Sequence, residues 1–251
     1  MTALFSPPLS DARSVVDDVR ARGFAVLSPP AMAEAVQVRR QDFACLEPGW
    51  DDLPPDAYLR DGGRYRSRRH SCFVVAGDQM RQAPHRAHWQ SLDYNALHGG
   101  MRRIFEPVAP DTVAAPVWPA LLRTLGRWCS ALAGEQPWFV EAHQFRIDTA
   151  DGIGRPTPEG AHRDGVDYVA VILVSRHCIK GGETRVFRAD GPDGQRFTLL
   201  EPWSLLLLDD ACMIHETTPI QPLDGVAGHR DTLVLTFRAG AFQGEEAPAS
   251  A

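Results

Sequence analysis

The 251-residue chain is poor in cysteine, with five residues at Cys45, Cys72, Cys129, Cys178 and Cys212 and no C-x-x-C pair among them. An odd count without paired spacing argues against a disulfide-scaffolded fold and suits a reducing compartment. No stretch reaches the ~18 consecutive apolar residues of a membrane helix. The opening Met1-Thr2-Ala3-Leu4-Phe5-Ser6-Pro7-Pro8 lacks a basic start followed by an apolar run. No secretory leader is therefore expected, and the cytoplasm is the expected location. Positive charge is not in excess: 26 basic against 32 acidic residues give a formal net charge of -6. This argues against nucleic acid or an anionic membrane as a whole-surface partner, while leaving room for a small basic pocket. An H-E-x-x-H segment is also missing, which removes the helical zinc-peptidase signature.

What is there is an ordinary globular mixture, 44% hydrophobic and 23% charged, long enough for one enzyme-sized domain. Residues 11–26 read as a helix running into a strand. Ser10 or Asp11 can cap the helix, Val15, Val16 and Val19 form its apolar stripe, and Gly23 stops it. Phe24 to Leu27 begins the strand, and Pro29-Pro30 ends it. A second helix is expected over 31–46 and a loop over 47–63. Four arginines then fall within six positions, 64–69, ahead of a strand at Ser71–Val75. They read either as an anion-binding rim or as a solvated edge strand. Residues 84–108 mix aromatic and polar side chains, which suits a wall or lid beside a site, its histidines being structural. Pro119 opens a helix that reaches about residue 133 and ends at Gly134.

After Gly134 helix signals disappear. Short strands follow, separated by Gly and Pro turns at spacings of about 8 to 12 residues, the pattern of a sandwich or jelly roll. The expected organisation is a single catalytic domain over 1–251. Residues 1–134 form a helical and mixed portion supporting the core, 135–240 the core strands with the site, and 241–251 a flexible tail. On the strand 138–148 one face carries His143, Phe145 and Ile147, and the other Ala142, Gln144, Arg146 and Asp148. A polar inward face would be costly unless it lined a ligand cavity.

The chemistry concentrates between His162-Arg163-Asp164 and His215. In an extended segment, i and i+2 point the same way, so His162 and Asp164 can reach one metal while Arg163 points elsewhere. His215 comes 53 positions after His162 (215 minus 162), enough chain for about four strands and a return beside the first ligand. Two histidines and one carboxylate form the ligand set of a non-haem iron(II) site with open positions. Such a site carries a net +1 and can be chelated by an anionic 2-oxo acid. The distal carboxylate of that acid calls for a cation. Arg230 leads a strand 15 residues after His215 and is the candidate. Arg238 shares its parity but would lie about 26 Å away. Two rivals share these features: a zinc hydrolase using the same ligand types, and a non-enzymatic jelly-roll protein that binds a small molecule.

From about Tyr65 to Arg238 the chain resembles the 2-oxoglutarate and iron(II)-dependent dioxygenases. It is similar in particular to the bacterial branch that includes the L-isoleucine 4-hydroxylase and related free amino-acid hydroxylases. The residues that carry the resemblance are Trp89-Gln90-Ser91, Asn95 with Gly99-Gly100, Arg102 with Phe105 and Pro107, and His162-Arg163-Asp164-Gly165. Gly181-Gly182-Glu183-Thr184, His215 and Arg230 to Phe237 complete the set. The resemblance implies a mainly β, cupin-like double-stranded β-helix with flanking helices. It implies His162, Asp164 and His215 as iron ligands, and Arg230 on the 5-carboxylate of 2-oxoglutarate with Thr232 or Thr184 assisting. The cosubstrates would be 2-oxoglutarate and O2, with ascorbate supporting activity in vitro. The substrate would be a small molecule, most simply a free aliphatic amino acid hydroxylated on its side chain. Arg146 or Arg66 would then take its carboxylate, Glu141 or Asp148 its ammonium, and Gln144 would assist. A homodimer is compatible with all of this; nucleic acid and membrane are not expected partners.

Overall fold

The computed structural model describes residues 5–95 and 97–245. The chain begins with α1 (Val15–Arg22), β1 (Phe24–Leu27), α2 (Pro29–Val36) and a 3-10 run, Arg40–Trp50. It continues through β2 (Arg66–Ala76), β3 (Gln79–Gln82), α3 (Pro110–Ala114) and α4 (Val117–Ala133). The remaining elements are all strands: β4 (Trp138–Asp148), β5 (Tyr168–His177), β6 (Ile179–Gly181) and β7 (Thr184–Arg188), then β8 (Gly194–Phe197), β9 (Leu205–Asp209), β10 (Met213–Thr217), β11 (Ile220–Pro222) and β12 (His229–Ala239).

Local chemistry accounts for the N-terminal elements. Val15 and Val19 are the buried stripe of α1, and Gly23, at a φ of 85°, terminates it with its N–H on Val19 O. The N-cap is Ser14, which makes no side-chain cap; the N–H of Ser10 pairs with Val26 O instead. Pro29-Pro30 do more than end β1. They open α2, where a proline costs no hydrogen bond, and Ser28 Oγ accepts the Ala31 N–H. The single helix expected over 31–46 is broken after Val36, where Gln37 turns left-handed at a φ of 61°. The 3-10 run that follows ends on Trp50, whose Nε1 donates to Phe145 O and Thr232 O.

Seven strands form one antiparallel sheet in the order β1-β9-β5-β12-β4-β2-β3. Facing it are a three-stranded sheet, β10-β7-β8, and the two-stranded β11-β6. The architecture is mainly β with few helices, a jelly roll. The strand alternation explains why the central strands read as apolar on both faces. Leu205, Leu207, Leu233 and Leu235 meet the helical layer through Trp118, Leu121, Leu122 and Leu125. Leu206, Leu208, Val169 and Leu173 pack with Val186 and Phe197 of the smaller sheet. Helix α4 lies so close to β2 that a Cβ on Gly126 would come within 2.7 Å of Val75 Cγ1.

Two expectations about organisation change. Strands β1, β2 and β3 belong to the large sheet, so the part before residue 135 supplies strands of the core as well as its support. The tail expected from residue 241 is packed at its start: Ala241 and Phe242 are buried, and Phe242 meets Phe139 edge-on at 5.0 Å. Residues 246–251 lie outside the described residues. Among the described residues no helix is long and apolar enough to cross a membrane.

Candidate active site

His162 and His215 are brought together by backbone pairing. Each donates its N–H to the other's carbonyl, at 3.0 and 2.9 Å, an isolated antiparallel bridge. Asp164 completes the group, with Oδ1 at 3.9 Å from His162 Nε2 and Oδ2 at 3.7 Å from His215 Nε2. One ligand atom from each of the three lies within 4.8 Å of the others. The loop that carries Asp164 is held from below. The buried Asp210 carboxylate accepts the N–H groups of Asp164, Gly165 and Val166 at 2.9, 2.7 and 3.0 Å. Gly165 takes a φ of 79°, and a Cβ there would run into the Tyr94 ring. Gln243 Nε2 donates to Asp164 O and Gly165 O. Arg163 points away, as parity requires, and donates to Ala211 O.

His162 Nδ1 lies 2.9 Å from Gly160 O, which can only accept. The ring proton therefore sits on Nδ1 and leaves the Nε2 lone pair facing Asp164. Asp164 Oδ1 also accepts from Gln90 Nε2 at 3.1 Å. Burial raises the Asp164 carboxyl above its usual range, with His162 opposing. Burial also depresses His215, and His162 adds to this. At His162 burial is outweighed by the Asp164 and Glu159 carboxylates, and its pKa rises. A divalent cation resolves these tensions: it favours an ionised Asp164 and two neutral imidazoles. The donor set thus fits a metal and leaves one side facing a cavity.

That cavity, about 110 Å³, lies between the two sheets. On β12 it is lined by Arg230, Thr232, Val234 and Thr236. Arg230 is only 3% exposed, and its Nε and Nη2 have no hydrogen-bond partner among the described residues. It stands opposite Arg176 in the β12–β5 register. Burial first, and then Arg176, depress its pKa to about 10. A buried guanidinium with two unused donors fits a carboxylate. Arg238 instead donates to Ala241 O and Phe242 O. Thr184 is buried but does not line the cavity; Thr217, its partner across the β10–β7 ladder, does.

The expected substrate contacts separate by strand parity. Arg66 lines the cavity, paired with the buried Asp56 at 2.7 Å. Arg146 is tied by two 2.8 Å bonds to Asp231, away from the cavity. Gln144 donates to Gly49 O under the helical layer, and Asp148 accepts the Ala150 N–H. The cavity face of β4 is the one carrying His143, Phe145 and Ile147. Glu141 lies beyond it, accepting from His70 Nε2 at 2.9 Å and His88 Nδ1 at 2.6 Å. None of Gln144, Arg146, Asp148 or Glu141 lines the cavity.

Residues not singled out as contacts do line it: Arg68, His88, Gln90, Asn95, Arg103 and Glu159 among them. The polar and aromatic mixture of 84–108 signalled a wall, and it forms one. The arginines of β2 are not a solvated edge, since Arg66 and Arg68 are 5% and 3% exposed. His70, His88, Glu141 and His143 have the composition of a second metal site. Here, however, Arg68 Nη2 lies 2.7 Å from His143 Nδ1. A guanidinium can only donate, so Nδ1 accepts and the ring proton occupies Nε2, which faces Glu141 at 3.8 Å. Glu141 is thereby tied to His70 and His88 and His143 to Arg68, while His70 Nδ1 has no partner among the described residues.

A search of curated proteins returned no match. Among solved structures, a bsmA homologue from Methylobium petroleophilum is 49% identical, with a TM-score of 0.91, over 98% of this chain and 100% of that one. IDO from Bacillus thuringiensis superposes with a TM-score of 0.74 at 19% identity, covering 92% of this chain and 100% of that one. The Fe(II)/α-ketoglutarate-dependent dioxygenase TqaL gives a TM-score of 0.71 at 17% identity, covering 93% and 88%. At those identities the last two show a shared fold. A family model described as 2OG-Fe dioxygenase matches residues 47–236, a span that includes the His/Asp/His group and Arg230, and the chain belongs to that family, whose members use Fe(II), 2-oxoglutarate and O2.

Proposed function

We propose that this dioxygenase hydroxylates the side chain of a free aliphatic L-amino acid, as in the branch that includes the L-isoleucine 4-hydroxylase. One observation carries the reading: one cavity is lined by two sets of buried charge. Arg230 on β12 is one set; Arg66 and Arg68, two strands away on the same sheet, form the other with Arg103 and Glu159, and the His/Asp/His group lines the same space. A cosubstrate dianion accounts for the first set. A second small charged molecule accounts for the other.

In this reading His162, Asp164 and His215 hold the iron, and Arg230 grips the 5-carboxylate of 2-oxoglutarate with Thr232 beside it. Bound iron, with 2-oxoglutarate and O2, supplies the oxidising power: one oxygen atom goes into the substrate C–H bond and the other into succinate, with release of CO2. The chain's own part is positional. Gln90 orients Asp164 through its amide. Gly160 O fixes the His162 tautomer. Phe145, Val171 and Val234 line the cavity with apolar surface that limits water near the reacting carbon.

The test is a succinate-release screen over free L-amino acids with Fe(II), ascorbate and 2-oxoglutarate, with product mass recorded. One amino acid should stimulate succinate release and gain one oxygen atom. His162→Ala and Asp164→Ala should lose this turnover. Stimulation by peptides or amino-group-free acids, and by no free amino acid, would sink the substrate reading. Wild-type rates in the two variants would remove the ligand assignment.

A further inference from the structure

The part of the cavity built from β2 and the 88–103 segment has an imbalance of charge that the protein does not correct internally. Three guanidiniums line it, Arg66, Arg68 and Arg103. Arg66 is bonded to Asp56 at 2.7 Å. Arg68 lies 3.8 Å from the same carboxylate, donates to His143, and stacks 3.8 Å over the Phe105 ring. Arg103 is different. It is 2% exposed, its side-chain hydrogen bond goes to the neutral Gln90 Oε1 at 3.1 Å, and its Nε has no partner. Among the described residues no carboxylate lies within 4 Å of it. Burial, and then Arg66, push its pKa down to about 10, which still leaves it a cation.

Glu159 has the complementary defect. Its side chain is 12% exposed, and Oε2 is buried without a partner. The nearest cationic candidate is His162 Nε2, at 3.5 Å from Oε1. That contact is on Oε1 and leaves Oε2 unmet. A buried carboxylate oxygen and a buried guanidinium nitrogen in one cavity each cost stability when left unmet. Both line the same space as Asp164.

We infer that Arg103 and Glu159 form the subsite for the α-head of the substrate, with Arg103 taking the α-carboxylate in a fork and Glu159 taking the α-ammonium. This rests on the reading of the substrate as a free amino acid. A zwitterion supplies one anion and one cation and removes both defects at once. A ligand of one sign removes only one. Gln90 gives the subsite its register, because one amide bridges Arg103 and Asp164. Neither residue touches the reacting carbon, so both are specificity residues.

The experiment is a functional-group cycle read by binding. Full-length protein loaded with Mn(II) and 2-oxoglutarate is titrated calorimetrically with the amino acid found in the succinate screen, with its N-acetyl derivative and with its carboxamide. In the unmodified protein each derivative should bind about tenfold more weakly or worse, the scale of one lost charged hydrogen bond. In Glu159→Gln the penalty for N-acetylation should disappear while that for the carboxamide persists. In Arg103→Gln the pattern should reverse. Unchanged 2-oxoglutarate binding reports an intact site, and Arg103→Lys substitutes if Arg103→Gln does not fold. Penalties that persist in full in both variants overturn the subsite and leave the amino-acid reading standing. Failure of the unmodified protein to bind any amino acid overturns both.

Discussion

Single atoms decide the chemistry at this site. The proton on His162 Nδ1 is placed by one carbonyl, Gly160 O, and the lone pair this leaves on Nε2 makes the ring available to a metal. Arg230 shows the same economy. Its guanidinium is buried with Nε and Nη2 unused, an arrangement that costs free energy unless a ligand completes it. Arg230→Ala should therefore raise the 2-oxoglutarate KM by about 100-fold or more, the loss expected for a buried bidentate charge contact, with a smaller effect on the KM of the second substrate. Succinate release against 2-oxoglutarate concentration reads this directly, and an unchanged KM would assign the cosubstrate elsewhere.

At the level of elements, β12 and the 161–166 loop do most of the positioning. Strand β12 is flanked by β4 and β5 along almost its whole length, so its alternation is rigidly set. Arg230, Thr232, Val234 and Thr236 face the cavity, while Leu233 and Leu235 fill the core. The loop has no sheet of its own. It depends on the Asp210 carboxylate accepting three consecutive N–H groups. Asp210→Ala leaves those donors unmet, and should destabilise the protein by about 2–4 kcal/mol and weaken metal binding by about tenfold. Urea denaturation and a metal titration measure the two effects. A variant with the parent's midpoint and metal affinity would show that the loop holds its shape without this carboxylate.

Across the whole molecule, the buried cluster of His70, His88, Glu141 and His143 makes stability depend on pH. His88 is pushed down to about 4 by burial, against the opposing pull of Glu141. Burial lowers His70 and His143 in the same direction. The unfolded chain, with histidines near 6.5, binds more protons than the folded one between these values, so stability falls as pH drops from about 6.5 towards 4. His88 alone should remove about 2 kcal/mol between pH 7 and pH 5. Denaturation midpoints at the two pH values test this, and His88→Gln should flatten the difference. Equal midpoints in the parent protein would mean that the cluster accepts protons without cost.

How much of this was legible beforehand differs from residue to residue. The run of apolar β5, β9 and β12 residues, the break at Gly134 and the parity of β4 and β12 are local properties, and the sheet follows them. An H-x-D alone is common; His162, Asp164 and His215 stood out because apolar strands, a second histidine and the strand-leading Arg230 follow it in order. The substrate wall was not legible. Arg66 and Arg146 look alike as residues on strands, yet Arg146 meets Asp231 at 2.8 Å, and Arg66, paired with Asp56, lines the cavity. Arg103 and Glu159 sit outside regular strands, where no periodicity assigns a face. By itself, then, the sequence determined which segments become strands, which residue types could hold a metal, and the side of each strand they occupy, because these depend on neighbours two to four residues away. Only the tertiary structure decided which buried charges find partners and which are left for a ligand, because that depends on pairings across elements far apart in the chain.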